Sequence, residues 1–201
     1  VNSVTGFGID FRDFMGSATV AANIIDTGSV GSQGVQYPSG IRCFGSSTTD
    51  ACDSVYEVLK NTVTCAINSG AGIRIYSSSR LTPLTRVTAS RNLVTMLPLS
   101  HAANEKNAGI EVRGIVLNAE VSGNTIRGRA RAALSVIEDP NGAPIATRLV
   151  ENHHEDFQYL LADVCIGAGA SNTQITAPAG QQGHIQDLDK SDFSEQEYTR
   201  I

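Results

Sequence analysis

The chain has 201 residues, a formal net charge of −5, 17 % charged and 5 % aromatic residues, and no Trp. The acidic balance argues against nucleic acid as a general partner, and no apolar run approaches the roughly 18–20 residues of a membrane-spanning helix. The length suits one domain with its own core, and the abundance of small polar and β-branched residues favours strands and tight turns over long helices.

In chain order, the first fifteen residues already read as a strand under way, Gly6-Phe-Gly-Ile-Asp-Phe-Arg, with Ile9 and Phe11 on one side. The chain starts with Val and shows no charged-then-apolar leader, so the expectation is a mature form or a fragment of something longer. Two recurrences follow. Asn23, Asn61, Asn92, Asn124 and Asn152 each stand two residues before Ile25, Val63, Val94, Ile126 and His154. Between them runs Gly-Ile, at Gly8-Ile9, Gly40-Ile41, Gly72-Ile73 and Gly109-Ile110. A repeat that keeps its residue types but not its length implies stacked coils, each burying an apolar face against the next. Alternation with period two makes the inward pairs Ile9/Phe11, Ile41/Cys43, Ile73/Ile75 and Ile110/Val112, continued as Leu134/Val136 and Leu160/Ala162.

The stretch Asp53–Leu59 reads as a short helical insertion, and the register is open across insertions at 30–39 and 99–108. Ser77-Ser-Ser and Asp139-Pro-Asn-Gly142 read as turns. Asn at the recurring corner tolerates the left-handed conformation, and stacked carboxamides satisfy one another's donors and acceptors.

The pattern Val-x-x-Asn-x-Ile, a spacer, then Gly-Ile-x-Val resembles the repeat of right-handed parallel β-helix proteins, the pectate-lyase-like superfold. The resemblance covers about residues 4 to 188. It implies an all-β chain, a right-handed single-stranded parallel β-helix (solenoid) of six or seven rungs over residues 1–188, with 189–201 as a polar C-terminal tail or cap. The fold hosts lyases, hydrolases, epimerases, tailspikes, adhesins and surface proteins, so the resemblance leaves function open.

Chemistry is sought on the outward positions beside the Gly-Ile strands. One column reads Asp10, Arg42, Arg74, Glu111, Ser135, Leu161; the next reads Arg12, Phe44, Tyr76, Arg113, Ile137, Asp163. With coils about 4.8 Å apart, Asp10–Arg42 and Arg74–Glu111 are complementary and Phe44–Tyr76 stack. Such a face is either a surface held by cross-rung pairs or a sugar-binding face, where planar Arg, acids and rings suit polyols and uronates. A second anion-binding set is Arg127-Gly-Arg129-Ala-Arg131, three arginines on one side of a strand with Arg127 beside Glu155. The third cluster is Asn152-His153-His154-Glu155-Asp156, in which His153 and Glu155 share one face and His154 and Asp156 the other. His154 stands where other rungs have Ile or Val, and such breaks in a pattern mark functional sites or polar defects.

Cys43, Cys52, Cys65 and Cys165 form no CxxC pair, so a zinc site has little support. Cys43 and Cys52 flank a polar loop and are read equally as a disulfide or as two thiols, while Cys65 reads as a buried thiol. The expected function is a non-catalytic extracellular or cell-envelope module that binds or displays on carbohydrate. A polysaccharide lyase or glycoside hydrolase is the alternative, with Arg42, Arg74 or Arg113 as base or charge stabiliser and Glu111, His153 or Glu155 as its acid–base partner. Against it stand the missing Asp-Pro-His and Asn-x-Asp motifs. No cofactor is required, and calcium lacks the clustered acids it needs. A third reading is a structural stalk, a homo-oligomer burying an apolar column such as Ile137 and Leu161 between chains.

Overall fold

The structure, a computed structural model, describes residues 7–12, 16–29, 39–45, 54–66, 69–80, 83–98, 106–187, 192–193 and 198–200. Among these the regular elements are all β-strands, and strands pair in parallel within two sheets, one of eleven strands that curls nearly closed and one of seven. The pairings fall into three ladders. The first runs β1 (Phe7–Arg12), β4 (Ser39–Gly45), β7 (Ser69–Ser77), β10 (Lys106–Gly114), the second half of β12 (Thr125–Ile137), the second half of β14 (His153–Ile166), β16 (Gly183–Asp187) and β18 (Tyr198–Arg200). The second runs β2 (Gly16–Ala21), β5 (Ser54–Leu59), β8 (Arg86–Ser90), β11 (Ala119–Ser122), β13 (Arg148–Val150), β15 (Gln174–Thr176) and β17 (Asp192–Phe193). The third runs β3 (Ile24–Ser29), β6 (Thr62–Ala66), β9 (Leu93–Met96) and the first halves of β12 and β14.

The inward columns follow from the alternation. Ile9, Ile41, Ile73, Ile110 and Leu134 lie in one line of register and Phe11, Cys43, Ile75, Val112 and Val136 in the next. The third ladder contributes Ile25, Val63, Val94 and Ile126 in register, all fully buried. The stretch expected as a helical insertion is instead strand β5 from Ser54, because Tyr56 and Val58 alternate inward against exposed Glu57. Cys43 sits between Phe11 and Ile75, its thiol free and pushed up to about 12 by burial; Cys52 lies outside the described residues, as do most of the two insertions. The Cys65 thiol is likewise buried and raised to about 11.

The asparagines form a continuous ladder. Asn61, Asn92, Asn124 and Asn152 are buried. Each Oδ1 accepts from the backbone N and the Nδ2 of the preceding asparagine, and each Nδ2 also reaches a carbonyl of the preceding repeat, as Asn92 does to Val58 at 2.8 Å. The left-handed residue is not the asparagine, as its tolerance suggested, but the one before it: Ala22, Lys60, Arg91, Gly123 and Glu151 have φ of 49–58°. The asparagine side chain is therefore spent on joining repeats, and the αL strain falls on a neighbour whose side chain faces water.

The glycine of Gly-Ile marks a close approach. A Cβ on Gly72 would lie 2.3 Å from Val94 Cγ1 and 2.8 Å from the Gly109 carbonyl oxygen; Gly8, Gly40 and Gly109 meet equivalent neighbours. First and third ladders pack against each other there with no room for a side chain.

The last inward rung is corrected from Leu160/Ala162 to Val164/Ile166, which pair with Leu134 and Val136. β14 carries one extra residue at Asp156 and another at Leu160–Leu161, so every later position shifts. The first outward column accordingly runs from Ser135 to Cys165 and on to Gln186, and neither Leu161 nor Asp163 belongs to the outward columns. Within 189–201, expected as a tail or cap, β17 pairs with β15 and β18 with β16. Among the described residues no helix is long and apolar enough to cross a membrane.

Candidate functional site

The outer face of the first ladder assembles most of the expected ligand-binding residues. Register places Asp10, Arg42, Arg74, Glu111 and Ser135 in one column and Arg12, Phe44, Tyr76, Arg113 and Ile137 in the next, as read from the sequence. Arg42 grips Asp10 bidentately, Nε to Oδ1 at 2.8 Å and Nη2 to Oδ2 at 2.6 Å. Arg74 bonds Glu111. Phe44 and Tyr76 stack with centroids 5.0 Å apart, and the Arg42 guanidinium lies 4.7 Å from the Phe44 centroid. Arg74 and Arg113 flank the Tyr76 ring at 5.4 and 5.8 Å. The two columns point away from the core, yet Arg42, Arg74 and Glu111 are 6 %, 1 % and 4 % exposed. The face is a shielded polar layer, not the open sheet surface expected. In a shielded layer charge pairing is strong and its disruption costly.

Beside this pair lies a recess of about 220 Å³. Arg74, Glu111, Arg113, Arg131, Asn107 and Ser135 line it, with the buried Cys165 thiol in its wall. Three guanidiniums face one carboxylate there. Arg131 was expected beside Arg127 and Arg129, on one side of a strand. β12 instead shifts register at Arg127/Gly128 and again between Ala130 and Ala132. The first shift is built on Gly128, φ +89, whose absent Cβ would fall 2.0 Å from the Met96 carbonyl oxygen. Arg127 stays on the third ladder, bonded to Glu155, and Arg129 pairs in register with Gln158. Arg131 enters the first ladder, its backbone N donating to Asn107 Oδ1 at 3.0 Å.

Asp139 was read only as turn chemistry. Its Oδ1 does close the turn, accepting from Asn141 and Gly142, but its Oδ2 accepts the Tyr76 hydroxyl at 2.9 Å and so anchors the aromatic pair. Burial, and then that bond, hold the Tyr76 hydroxyl above its ordinary pKa. The acid that opens the Asp-Pro-Asn-Gly turn was visible in the sequence, but its burial and its reach to Tyr76 were not.

The titratable cluster of β14 separates. His153 and Glu155 are exposed on the third ladder, apart from Glu111 on the first, so of the three alternative acid–base partners named for a lyase or hydrolase only Glu111 lies beside two of the named arginines, Arg74 and Arg113. Asp156 does not follow His154 inward, because it is the bulged residue, φ +48, and exposed. His154 continues the Ile25–Ile126 column with its side chain 5 % exposed, and neither ring nitrogen makes a hydrogen bond. Its Nδ1 lies 3.5 Å from Asp163 Oδ1. Asp163 holds the register position of the Gly-Ile glycines, and its Oδ2 accepts the backbone N of His184 at 2.8 Å. The Tyr159 hydroxyl and His184 Nδ1 are 2.7 Å apart. The Gln181 carboxamide stands in for a further third-ladder strand, accepting from His154 N and donating to Asn152 O. The break in the pattern thus ends the third ladder. Among the described residues no group of three or more His, Cys, Asp and Glu is placed to hold a metal ion.

A buried imidazole without hydrogen bonds in an apolar column costs stability. His154→Val restores the column's own residue type and is expected to stabilise the fold by about 1–2 kcal/mol, read as a higher denaturant midpoint at unchanged slope. A lower midpoint would show that the contact with Asp163 outweighs the bare nitrogens.

No family model matches the chain, and no curated protein and no solved structure matches it.

Proposed function

We propose that the chain is a right-handed parallel β-helix module, secreted or on a cell envelope, that binds acidic carbohydrate without turning it over. The observation that carries the reading is the recess, where Arg74, Arg113 and Arg131 face the single carboxylate of Glu111 in a chain of net charge −5. Local charge opposite in sign to the whole is arranged charge. Guanidinium forks bind carboxylates in two parallel bonds, and Arg stacked on rings is held in orientation for it. Arg74 is committed to Glu111 and Arg113 lies against the Tyr76 ring, and Arg131 is the exposed arginine at the rim, nearest the ligand. At about 220 Å³ the recess is smaller than the roughly 300–1,000 Å³ that encloses a drug-sized ligand, so it takes one acidic unit of a longer chain. The uronate carboxylate is the group that fits.

The test is a glycan-array screen of acidic and neutral polysaccharides, with each binder then assayed for new absorbance at 235 nm and new reducing ends. Retention of polyuronates without product is the expected result, and affinity falls several-fold from low to physiological salt as the charges are screened. Unsaturated or shortened products would make the chain an enzyme. Failure to retain any acidic glycan would overturn the reading and shift weight to a structural stalk, although Ile137 and Leu161 do not share the column that stalk would bury.

A further inference from the structure

The second ladder has an outer face that the recess does not use. A depression of about 410 Å³ runs across β8, β11, β13 and β15. A second, of about 670 Å³, shares Arg86 and Asn118 with it and extends to Val55 of β5. Together they cross five consecutive strands of one ladder, about 19 Å at the ~4.8 Å strand spacing. One wall is the register column Thr88, Glu120, Arg148 and Gln174. The other is a row of left-handed corners, Asn118, Ala146 and Asn172, at φ 57°, 56° and 54°. Ala146 places a single methyl between two exposed carboxamides and so forms a notch.

We infer that this groove binds an extended, uncharged polysaccharide chain lying across the strands. The lining decides the occupant. Its apolar side chains are Ala119, Ala146 and, at the β5 end, the half-buried Val55, so it offers no large anchor to a protein hot spot. Glu120 pairs with Arg148 at 3.2 Å, which leaves Arg86 as the one cation without an ion pair in this lining and gives little for a polyanion to hold. Carboxamides donate and accept at once, as sugar hydroxyls do. Here they recur with the period of the strands, which suits a polymer of repeating units better than a compact ligand. The site lies on a different ladder from the arginine recess, and the inference stands without the acidic-sugar reading.

The test is an NMR titration of isotope-labelled protein with neutral β-1,4-linked glucose and mannose oligomers, from dimer to hexamer. Expected are amide shifts at Asn118, Ala146 and Asn172, with affinity rising about fivefold for each added unit, the equivalent of one net hydrogen bond, until the groove is full. The double variant Asn118→Gly/Asn172→Gly, in which glycine accepts the left-handed corners, binds about tenfold more weakly at a similar melting temperature, whereas Arg131→Ala binds as the wild type does. The inference is overturned by no shift at those amides with any oligomer, by affinity independent of length, or by binding that disappears in Arg131→Ala. The last outcome would place neutral sugars in the recess.

Discussion

Replacing Asn92 by Ala lowers stability by about 3–5 kcal/mol, among the largest single-residue losses expected in this chain. The substitution strips the acceptor from the Asn61 backbone N and Nδ2, and removes the donor that serves the Val58 carbonyl and Asn124 Oδ1. All four groups are buried, and each buried polar group left bare costs about 1–3 kcal/mol. The loss is discounted from the plain sum because Asn61 Nδ2 keeps Val20 O and Asn124 Oδ1 keeps the Asn92 backbone N. Asn92→Leu, which fills the volume, does not rescue. Asn23→Ala costs about 1 kcal/mol, because Asn23 is half-buried and donates to Asn61 at the start of the row. Denaturant unfolding of the three variants reads the contrast. Equal losses at Asn23 and Asn92 would mean that the amides act singly and not as a row.

The second large effect lies in the shielded polar layer. Arg74→Met is expected to cost about 3–5 kcal/mol, since it leaves the Glu111 carboxylate buried without the cation it bonds. Arg74→Met/Glu111→Leu removes both charges and is expected within about 1 kcal/mol of the wild type, because desolvating a buried pair offsets most of its attraction. The same double variant drops one positive and one negative charge from the recess, so its net charge is unchanged and uronate affinity falls less than in Arg131→Ala. A double variant no more stable than Arg74→Met would show that the arginine holds the layer through its packing on Tyr76 and not through its charge.

The two recurrences made most of the strand register legible. Gly-Ile fixed the inward and outward columns from β1 to β10, because each of its glycines sits where a Cβ would collide with a third-ladder side chain and the next strand's carbonyl and so cannot drift; in β12, with Ala133 at that position, alternation alone carried the register. The asparagine row was legible for the same reason: four buried carboxamides in register have few other ways to be satisfied. Legibility ended at β14. There the glycine position holds Asp163 and the apolar position holds His154, and two single-residue bulges carry the register past the nearest Leu-x-Ala match. The recess was half legible. Arg74, Glu111 and Arg113 were read as a face, but Arg131 was grouped with Arg127 because nothing in Arg-Gly-Arg-Ala-Arg announces that the strand turns between ladders at Gly128 and Ala130. The burial of that face was not legible, since alternation separates inward from outward and does not say what the outward side meets.

The most direct measurement is a calorimetric titration of wild type and Arg131→Ala with a short uronate oligomer at low salt. Arg131 is exposed at the rim and contributes to the fold through its backbone, so the variant keeps its melting temperature. The account predicts binding by the wild type and a loss of about tenfold or more in the variant, the worth of one charge-assisted pair of bonds. Equal affinity in the two proteins would contradict it, and would mean that the arginine recess is not where the acidic sugar binds.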